Sequence, residues 1–451
     1  MRSKALKAFN RSLLLLLMLV TLKRDSLHPA GSFEYRTDPF TGSHKFDWSN
    51  YELQTILAKL TSRITGTDQP HGLSEEEQVQ QVREYFSLVD EIGRLESEIM
   101  MAESKDDPTS QISALQADLD AKREQRLRLE NLVENIILRQ VEEVLLYEGI
   151  TLPVPLLGRQ LMPPVQFEFQ SSPDFLIISR RDKIDRIGSV SLQPNLSPAQ
   201  MEEIERSTDD FGVSSIIVPT GGVGAYPTVI TEQTSLDFAI RAVIHEWTHN
   251  YLFFFPLGQR YGQSQELTSM NETVATMVEE EAALELARRF YPDIHERWMA
   301  ERSREPVAPA AQAHEDEFSF NANMRKTRLR VEEFLAAGKV EEAEAYMEQR
   351  RQKLVEMGHY VRKLNQAYFA FYGSYAAGKG WAAETNPIGE QMRVLRERSP
   401  SLAAFLATVA RMSSYQDLLD ELATHWQAEG LDIATLVTIL PWRSPSPSVP
   451  E

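Results

Sequence analysis

The sequence contains no cysteine among its 451 residues. Disulfide bonds, cysteine-ligated zinc sites and thiol catalysis are therefore excluded, although this absence does not identify a cellular compartment. Basic residues are scarce relative to acidic ones, and the formal net charge is −19. Such an excess of acid argues against nucleic acids and anionic membrane surfaces as partners. The hydrophobic content of 42% is enough for a large core, which we expect to be divided into two or three units.

Long hydrophobic runs are also missing. Basic residues between Arg2 and Arg11 precede an apolar run at 13–22, which is about half of the roughly 20 residues that a membrane-spanning helix needs. This layout is typical of a secretory signal. Because Lys23 and Arg24 follow directly where small residues would mark a cleavage site, an uncleaved anchor, a lipid-surface helix and a packing helix are alternatives. We expect an exported or membrane-attached protein with an extracytoplasmic catalytic part.

The most informative pattern is the HExxH motif at 245–249, with the sequence HEWTH. It ends a mostly apolar segment, 236–244, and we predict that both lie on one helix. Residues four apart share a helix face, which lets His245 and His249 bind one metal ion. Glu246 can then act as the general base on a water at that metal. The alternative is a chance pair of surface or core histidines.

A catalytic zinc site usually has three protein ligands and one open position. The extended HExxHxxGxxH pattern fails, since Leu252 and Phe255 stand where glycine and histidine would be. We predict Glu272 as the third ligand, near the start of a second helix that follows a breaker-rich connection at 256–268 and returns antiparallel to the first. The alternative for Glu272 is a solvated carboxylate at a helix N-terminus. We expect the three glutamates at 279–281 to be solvated in this way.

HEWTH followed by Met-Asn-Glu-Thr-Val-Ala at 270–275 resembles the gluzincin zinc peptidases, in which HExxH is followed along the chain by a glutamate ligand. It is most similar to a family of aminopeptidases with a Phe-Asn-Glu-x-Phe-Ala second motif, although Met270 and Val274 replace the phenylalanines. The similarity covers roughly 221–376. It implies zinc chemistry and a zincin-like fold. Thr276 stands where thermolysin-like enzymes often carry an aspartate, so the carboxylate partner of that subgroup is missing.

A second similarity to this aminopeptidase family lies downstream. Asn-Gln-Ala at 365–367, followed by Tyr375, resembles an Asn-Asn-Ala…Tyr pattern, from which the glutamine departs. We predict a helix at 357–377 whose one face carries an amide and a row of phenols. A positioned phenol can donate to the negative charge that develops on the former carbonyl oxygen. Tyr375 is therefore the first candidate and Tyr372 the second; the alternative is core-edge tyrosines with satisfied hydroxyls.

The remaining patterns predict the architecture. Two long charged segments with apolar residues at helical spacing, 74–103 and 110–146, predict an antiparallel hairpin that serves as a scaffold, with partner docking as the alternative. Alternating segments predict a small sheet before the HExxH helix. We expect its edge strand, at 226–230, to pair with an extended peptide substrate. The predicted strands are 165–169, 175–178, 188–192, 215–219 and 226–230.

These patterns predict a predominantly helical α+β fold, in which a long helical hairpin precedes a zincin-like catalytic unit with a small antiparallel or mixed sheet. The predicted divisions are an N-terminal signal or membrane anchor (1–30), a helical hairpin region (45–150), the zincin-like unit (151–300), a C-terminal helical domain (301–440) and a disordered tail (441–451).

The predicted function is zinc-dependent hydrolysis of peptides or proteins, with Zn²⁺ held by His245, His249 and Glu272. Removal of single residues from the N-terminus, as in aminopeptidases, would require an anionic group for the substrate α-ammonium, and Glu232 or Glu266 could serve. The alternatives are a zinc endopeptidase of the same class and a membrane-tethered, non-catalytic scaffold with a relict or structural zinc site. An intact Glu246 argues against the scaffold, because a structural site does not use a general base.

Overall fold

The structure is a computed structural model that describes residues 33–48, 70, 72–104, 109–154, 158–194, 196–223, 226–303, 320–357, 359, 361–372 and 387–428. The predictions for 1–30, for 441–451 and for Tyr375 lie outside these residues. In the described part helices dominate and the strands form small sheets, which confirms a predominantly helical α+β fold. None of the described helices is both long enough and apolar enough to cross a membrane.

The helices are α1 (Phe33–Thr41), α2 (Glu75–Ser104), α3 (Thr109–Tyr147), α4 (Pro198–Asp209), α5 (Leu236–Leu252), α6 (Pro256–Gln259), α7 (Gln265–Phe290), α8 (Pro292–Ser303), α9 (Phe320–Ala336), α10 (Val340–Glu356), α11 (Gln366–Tyr372), α12 (Ile388–Arg398), α13 (Leu402–Val409) and α14 (Tyr415–Ala428). The strands are β1 (Leu152–Val154), β2 (Gly158–Gln160), β3 (Phe167–Phe169), β4 (Asp174–Arg180), β5 (Arg186–Leu192), β6 (Val213–Pro219), β7 (Gly222–Val223) and β8 (Thr228–Ile230).

Helices α2 and α3 form the predicted antiparallel hairpin. Tyr85 near the start of α2 contacts Glu130 in the second half of α3, whereas Glu96 further along α2 pairs with Arg123, nearer the start of α3. The distal part of the hairpin, near the end of α2 and the start of α3, has a small apolar cluster of its own. The proximal part, near the start of α2 and the end of α3, contributes to the largest core of the molecule. The hairpin is therefore attached to the rest of the fold at its proximal end.

Two three-stranded sheets replace the single sheet that we predicted. Strands β5, β4 and β6 pair in that order, all antiparallel. Side chains alternate across a strand, and β4 directs Leu176 and Ile178 towards α4 and Ile177 towards α11. The second sheet has the order β3–β8–β7, with β8 parallel to β3 and antiparallel to β7.

The prediction that 226–230 is an edge strand is wrong. Strand β8 occupies the centre of its sheet, because it hydrogen-bonds to β3 on one side and to β7 on the other. The glycine-rich segment before it, which we did not predict as a strand, folds back as β7 and forms the edge among the described strands.

The largest core joins distant parts of the chain. It contains apolar side chains of α2, α3, β3, α5, α7, α12, α13 and α14. Trp247 of α5 is almost fully buried, and its indole N–H donates to the carbonyl oxygen of Pro163 at 2.9 Å. Helices α5 and α7 therefore lie inside the fold, and their positions are set by packing on several sides.

Two predicted helix boundaries are corrected. Helix α7 begins at Gln265 rather than near Met270, because the Ser264 side chain accepts a hydrogen bond from the Leu267 amide and caps the helix. The predicted helix at 357–377 is also wrong. Helix α11 begins only at Gln366, since the Asn365 side chain accepts from the Tyr368 amide and ends the preceding irregular segment. Gly338, which has a positive φ of 71°, separates the paired helices α9 and α10.

An ion pair attaches the segment before α11 to the first sheet. The Arg362 guanidinium donates to both oxygens of Glu205 of α4, at 2.5 and 3.0 Å, and to the carbonyl oxygen of Ile217 in β6. The Glu205 side chain is only 3% exposed. Lys363 lies 3.4 Å from the same carboxylate. This pair holds α11 against the sheet.

We expect Arg362→Met to lower the free energy of unfolding by about 3 kcal/mol, because a buried carboxylate loses its main counterion. Urea denaturation would measure the loss. The matched control is Arg94→Met, whose partner Glu98 is exposed, and which should cost less than about 1 kcal/mol. Adding Glu205→Gln to Arg362→Met should recover part of the stability. Equal losses in the Arg362 variant and the control would contradict the role of this pair.

Candidate metal centre

Helix α5 presents the HExxH residues to α7. The Ser235 side chain accepts from the Phe238 amide and caps the helix. On its buried side, the Asn250 amide donates to the Thr228 hydroxyl of β8 at 3.1 Å. Together with the Trp247 bond to Pro163, this contact fixes the rotation of α5 about its axis. His245 and His249 then lie one turn apart on the side that faces α7.

Helices α5 and α7 pack antiparallel, as predicted. Arg241, early in the motif helix, pairs with Glu279, which lies late in α7, at 3.3 Å. His249, about one turn closer to the end of α5 than His245, contacts Asn271 near the start of α7. Glu272 lies between these contacts and is 2% exposed. Because α7 begins at Gln265, Glu272 is an interior residue of its helix, and its alternative interpretation as a solvated N-terminal carboxylate is wrong.

Three side-chain atoms of this pair of helices converge. The Nε2 atoms of His245 and His249 lie 3.2 Å apart, and Oε2 of Glu272 lies 3.4 Å from each of them. These residues form a group that could hold a metal ion. Ligand atoms about 2.05 Å from a tetrahedrally coordinated zinc ion are separated by about 3.3 Å. The observed triangle has the dimensions of three corners of such a tetrahedron.

The second nitrogen of each histidine has a partner that fixes the tautomer. Nδ1 of His249 lies 2.7 Å from Oδ1 of Asn271, and Nδ1 of His245 lies 3.1 Å from Oε2 of Glu279. Both partners are acceptors, so each Nδ1 donates and each neutral imidazole directs the lone pair of Nε2 into the triangle. The expectation that Glu279 is solvated is wrong, since its side chain is only 16% exposed.

Glu272 is held by a residue that the sequence did not indicate. The Tyr261 hydroxyl, in the connection between α6 and α7, donates to Oε1 of Glu272 at 2.6 Å. Oε2 of Glu272 is buried and has no hydrogen-bond partner within the described part of the chain. One oxygen is thus fixed by a phenol, and the other is left to face the two imidazoles.

The electrostatics of the group favour a bound positive charge. Burial alone would lower the pKa of His245, but the carboxylates of Glu272 and Glu279 outweigh it and raise that pKa well above its usual value. Burial likewise opposes the charged form of Glu272, yet His249 and His245 hold the pKa of this carboxyl below its usual range. Two imidazole nitrogens and a carboxylate oxygen at these separations require a proton or a metal ion between them.

Glu246 faces a cavity of about 440 Å³ that also borders His245. Its carboxylate has no hydrogen bond or ion pair with a described residue. Burial raises its pKa, and the two neighbouring histidines offset this only in part. Edge strand β7 lies directly beside it, since a Cβ atom at Gly222 would come within 3.2 Å of the Glu246 carboxylate. A side chain at this position of β7 would therefore crowd the carboxylate.

The tyrosines of the predicted helix at 357–377 differ in their positions relative to the cavity. Tyr372, at the end of α11, lines the same cavity as Glu246. Burial raises the pKa of Tyr372, so its hydroxyl remains a donor. Tyr368 packs on Tyr372 with 4.5 Å between ring centroids and belongs to the apolar contacts of α11 with the sheet. Tyr375 lies outside the described residues.

Two carboxylates, Glu232 and Glu266, were predicted as candidates for binding the substrate α-ammonium. The first already has hydrogen-bond partners, and the second lies away from the cavity. Both oxygens of Glu232 have partners, Arg126 at 2.7 Å and Ser171 at 2.9 Å. Glu266 lies in the first turn of α7, apart from the residues that line the cavity. Glu280, which we expected to be solvated, lines the cavity instead.

The contacts of Glu279, Asn271 and Tyr261 with the triangle were not predicted, and these residues differ in whether a sequence pattern could have indicated them. Glu279 follows Glu272 by two helical turns, so a helical-face test would have placed both against α5. Asn271 was noticed only as part of the second motif. Tyr261 carried no signal, because its position depends on the path of the connection between the two helices.

In comparisons with protein-family models, curated proteins and solved structures, no match was found. The resemblance of the two motifs to gluzincins therefore rests on those residues alone. The chemistry of the site has to be inferred from its own geometry.

We expect the purified protein to bind about one zinc ion per chain, the usual stoichiometry of a three-ligand site. His245→Ala and Glu272→Ala should each abolish this binding, because each removes one corner of the triangle. Elemental analysis after zinc loading and gel filtration would measure the content. His295→Ala, a histidine of α8, is the control and should retain zinc. Undiminished zinc in the two site variants would place the metal elsewhere.

We expect Tyr261→Phe to weaken zinc binding by about tenfold to a hundredfold, since loss of a hydrogen bond to a ligand usually has an effect of this size. Competition with a chromophoric chelator would give the dissociation constant. Tyr147→Phe removes the hydroxyl of an exposed tyrosine and should leave the constant unchanged. An unchanged constant in Tyr261→Phe would show that the phenol does not orient Glu272.

Proposed function

We propose that this protein is a zinc-dependent peptidase of the gluzincin type, with a zincin-like catalytic unit built around α5 and α7. The proposal rests chiefly on one observation. A His-His-Glu triangle with the dimensions of a tetrahedral zinc site lies next to Glu246, whose carboxylate is unpaired among the described residues and faces the same cavity as His245.

The number of ligands supports a catalytic rather than a structural zinc site. Structural zinc is normally enclosed by four protein ligands, whereas catalytic zinc has three and keeps one position open. Within the described residues the group consists of His245, His249 and Glu272. A cavity borders it on the side of His245. A scaffold with a relict site would have no use for an unpaired glutamate there.

In the proposed mechanism Glu246 is the general base. Zinc, when bound, would supply the positive charge that polarises the substrate carbonyl and acidifies the attacking water. Glu246 accepts the proton of that water, holds it on its carboxylate and delivers it to the leaving amine. The burial that raises the pKa of Glu246 makes it a stronger base.

Two further elements would act on the substrate. The Tyr372 hydroxyl, at the wall of the cavity, would donate to the oxygen on which negative charge develops. Edge strand β7 offers backbone groups beside Glu246 to which a short extended peptide could hydrogen-bond. A substrate held between β7 and α5 would have its carbonyl next to both the base and the triangle.

The cavity supports aminopeptidase action over endopeptidase action. Its volume of about 440 Å³ is near the lower end of the range of about 300–1,000 Å³ for small-ligand pockets. Side chains of α5, α7 and α11 and the segment leading into β7 line it. Such a cavity suits one terminal residue better than a long peptide.

We expect Glu246→Gln to retain zinc and lose at least about a hundredfold in turnover, the size of a general-base contribution. The assay is cleavage of a peptide library by zinc-loaded protein, with products read by mass spectrometry. Glu203→Gln, an exposed glutamate of α4, is the control and should be fully active. Chelation should abolish the activity and zinc should restore it.

Two outcomes would contradict the proposal. Loss of zinc together with activity in Glu246→Gln would make Glu246 a ligand or structural residue. No cleavage of any peptide by the zinc-loaded wild-type protein would favour the non-catalytic scaffold.

A further inference from the structure

The cavity beside the triangle contains a carboxylate that the proposed chemistry does not use. Glu280 lines it from α7, one residue after Glu279. Its carboxylate has no hydrogen bond or ion pair with any residue that the structure describes. Burial raises the pKa of Glu280, and the positive charges of Arg302, Arg241 and Arg393 offset this only in part. A cationic ligand group in the cavity would relieve this cost.

The other charged groups of the cavity are already committed. Glu279 binds His245 and Arg241. Arg241 is held on its other side by the Trp298 ring, with 4.0 Å between the guanidinium carbon and the ring centroid. Glu246 is reserved for proton transfer in the proposed mechanism. Glu280 is therefore the group that remains for binding a ligand.

Aromatic side chains form the apolar walls. Phe238 of α5 and Phe371 and Tyr372 of α11 line the cavity from two sides. Gly221 makes room for the first of these, because a Cβ atom there would come within 2.2 Å of the Phe238 ring. The space next to Glu280 is thus suited to an apolar group joined to a cation.

We propose that this cavity binds the N-terminal residue of a peptide, with its α-ammonium paired to Glu280 and its apolar or aromatic side chain against Phe238 and Tyr372. This assignment rests on the proposed peptidase function and names its substrate class: peptides with a free, apolar N-terminal residue. Anchoring the ammonium at a fixed point on α7 determines which carbonyl reaches the triangle and Glu246. Glu280 then acts as the residue that selects the first peptide bond.

The test compares zinc-loaded full-length wild type with Glu280→Gln and with Glu266→Gln, which makes the same change on α7 outside the cavity. The substrates are the coumarylamides of phenylalanine and N-acetylphenylalanine. Wild type should cleave the free-amine substrate at least about tenfold more efficiently. Glu280→Gln should reduce that efficiency by about tenfold to a hundredfold, mainly through KM, as expected for one charge-assisted hydrogen bond. Zinc content should not change, and Glu266→Gln should match wild type.

A binding measurement separates this inference from the proposed function. Ligand-observed NMR with 2-phenylethylamine and its uncharged analogue 2-phenylethanol needs no turnover. Binding of the amine by wild type, weakened by Glu280→Gln, supports the inference even if no peptide is cleaved. Equal binding of the amine to both proteins, or no binding to either, would overturn it. Equal cleavage of free and acetylated substrates would also overturn it while leaving the zinc chemistry intact.

Discussion

The structure around α5 and α7 depends on one electrostatic constraint. Three atoms that carry lone pairs, two imidazole nitrogens and a carboxylate oxygen, lie 3.2–3.4 Å apart in the interior. Without a positive charge between them they would repel one another. The fold keeps them together by occupying the remaining polar atom of each residue, through Glu279, Asn271 and Tyr261. Packing of α5 and α7 in the largest core then prevents the two helices from separating.

Four glutamates in or beside the triangle and the cavity differ in charge and contacts because their surroundings differ. Glu272 faces two histidines and is held as the anion. Glu279 is paired with an arginine and a histidine. Glu246 and Glu280 have no such partners among the described residues, and burial raises the pKa of both. The same type of side chain thus differs in charge and hydrogen bonding according to what each carboxylate contacts.

Sequence patterns predicted those parts of the site whose residues lie close together along the chain. The four-residue spacing of His245 and His249 determines a shared helix face, and the hairpin followed from apolar periodicity. Glu272 was predicted from the second helix that returns antiparallel to the first, and the resemblance of its motif to gluzincins agreed with that choice. The other features depend on contacts between distant segments. Edge strand β7 exists only because the glycine-rich segment folds back on β8. The segment that leads to Tyr372 is bound to the first sheet through contacts such as that of Arg362 with Glu205, 157 residues away in the chain. Contacts between such distant segments produce no periodic pattern in the sequence from which they could be predicted.

The composition of the largest core has a consequence for biosynthesis. It includes Val82 of α2 and Leu422 of α14, so the apolar surroundings of α5 and α7 come from nearly the whole described length of the chain. A ribosome releases the chain from the N-terminus onwards. When α5 and α7 have emerged, the helices that cover one side of them have not yet been made. The apolar packing around the ligand triangle is therefore complete only after α14 has been synthesised.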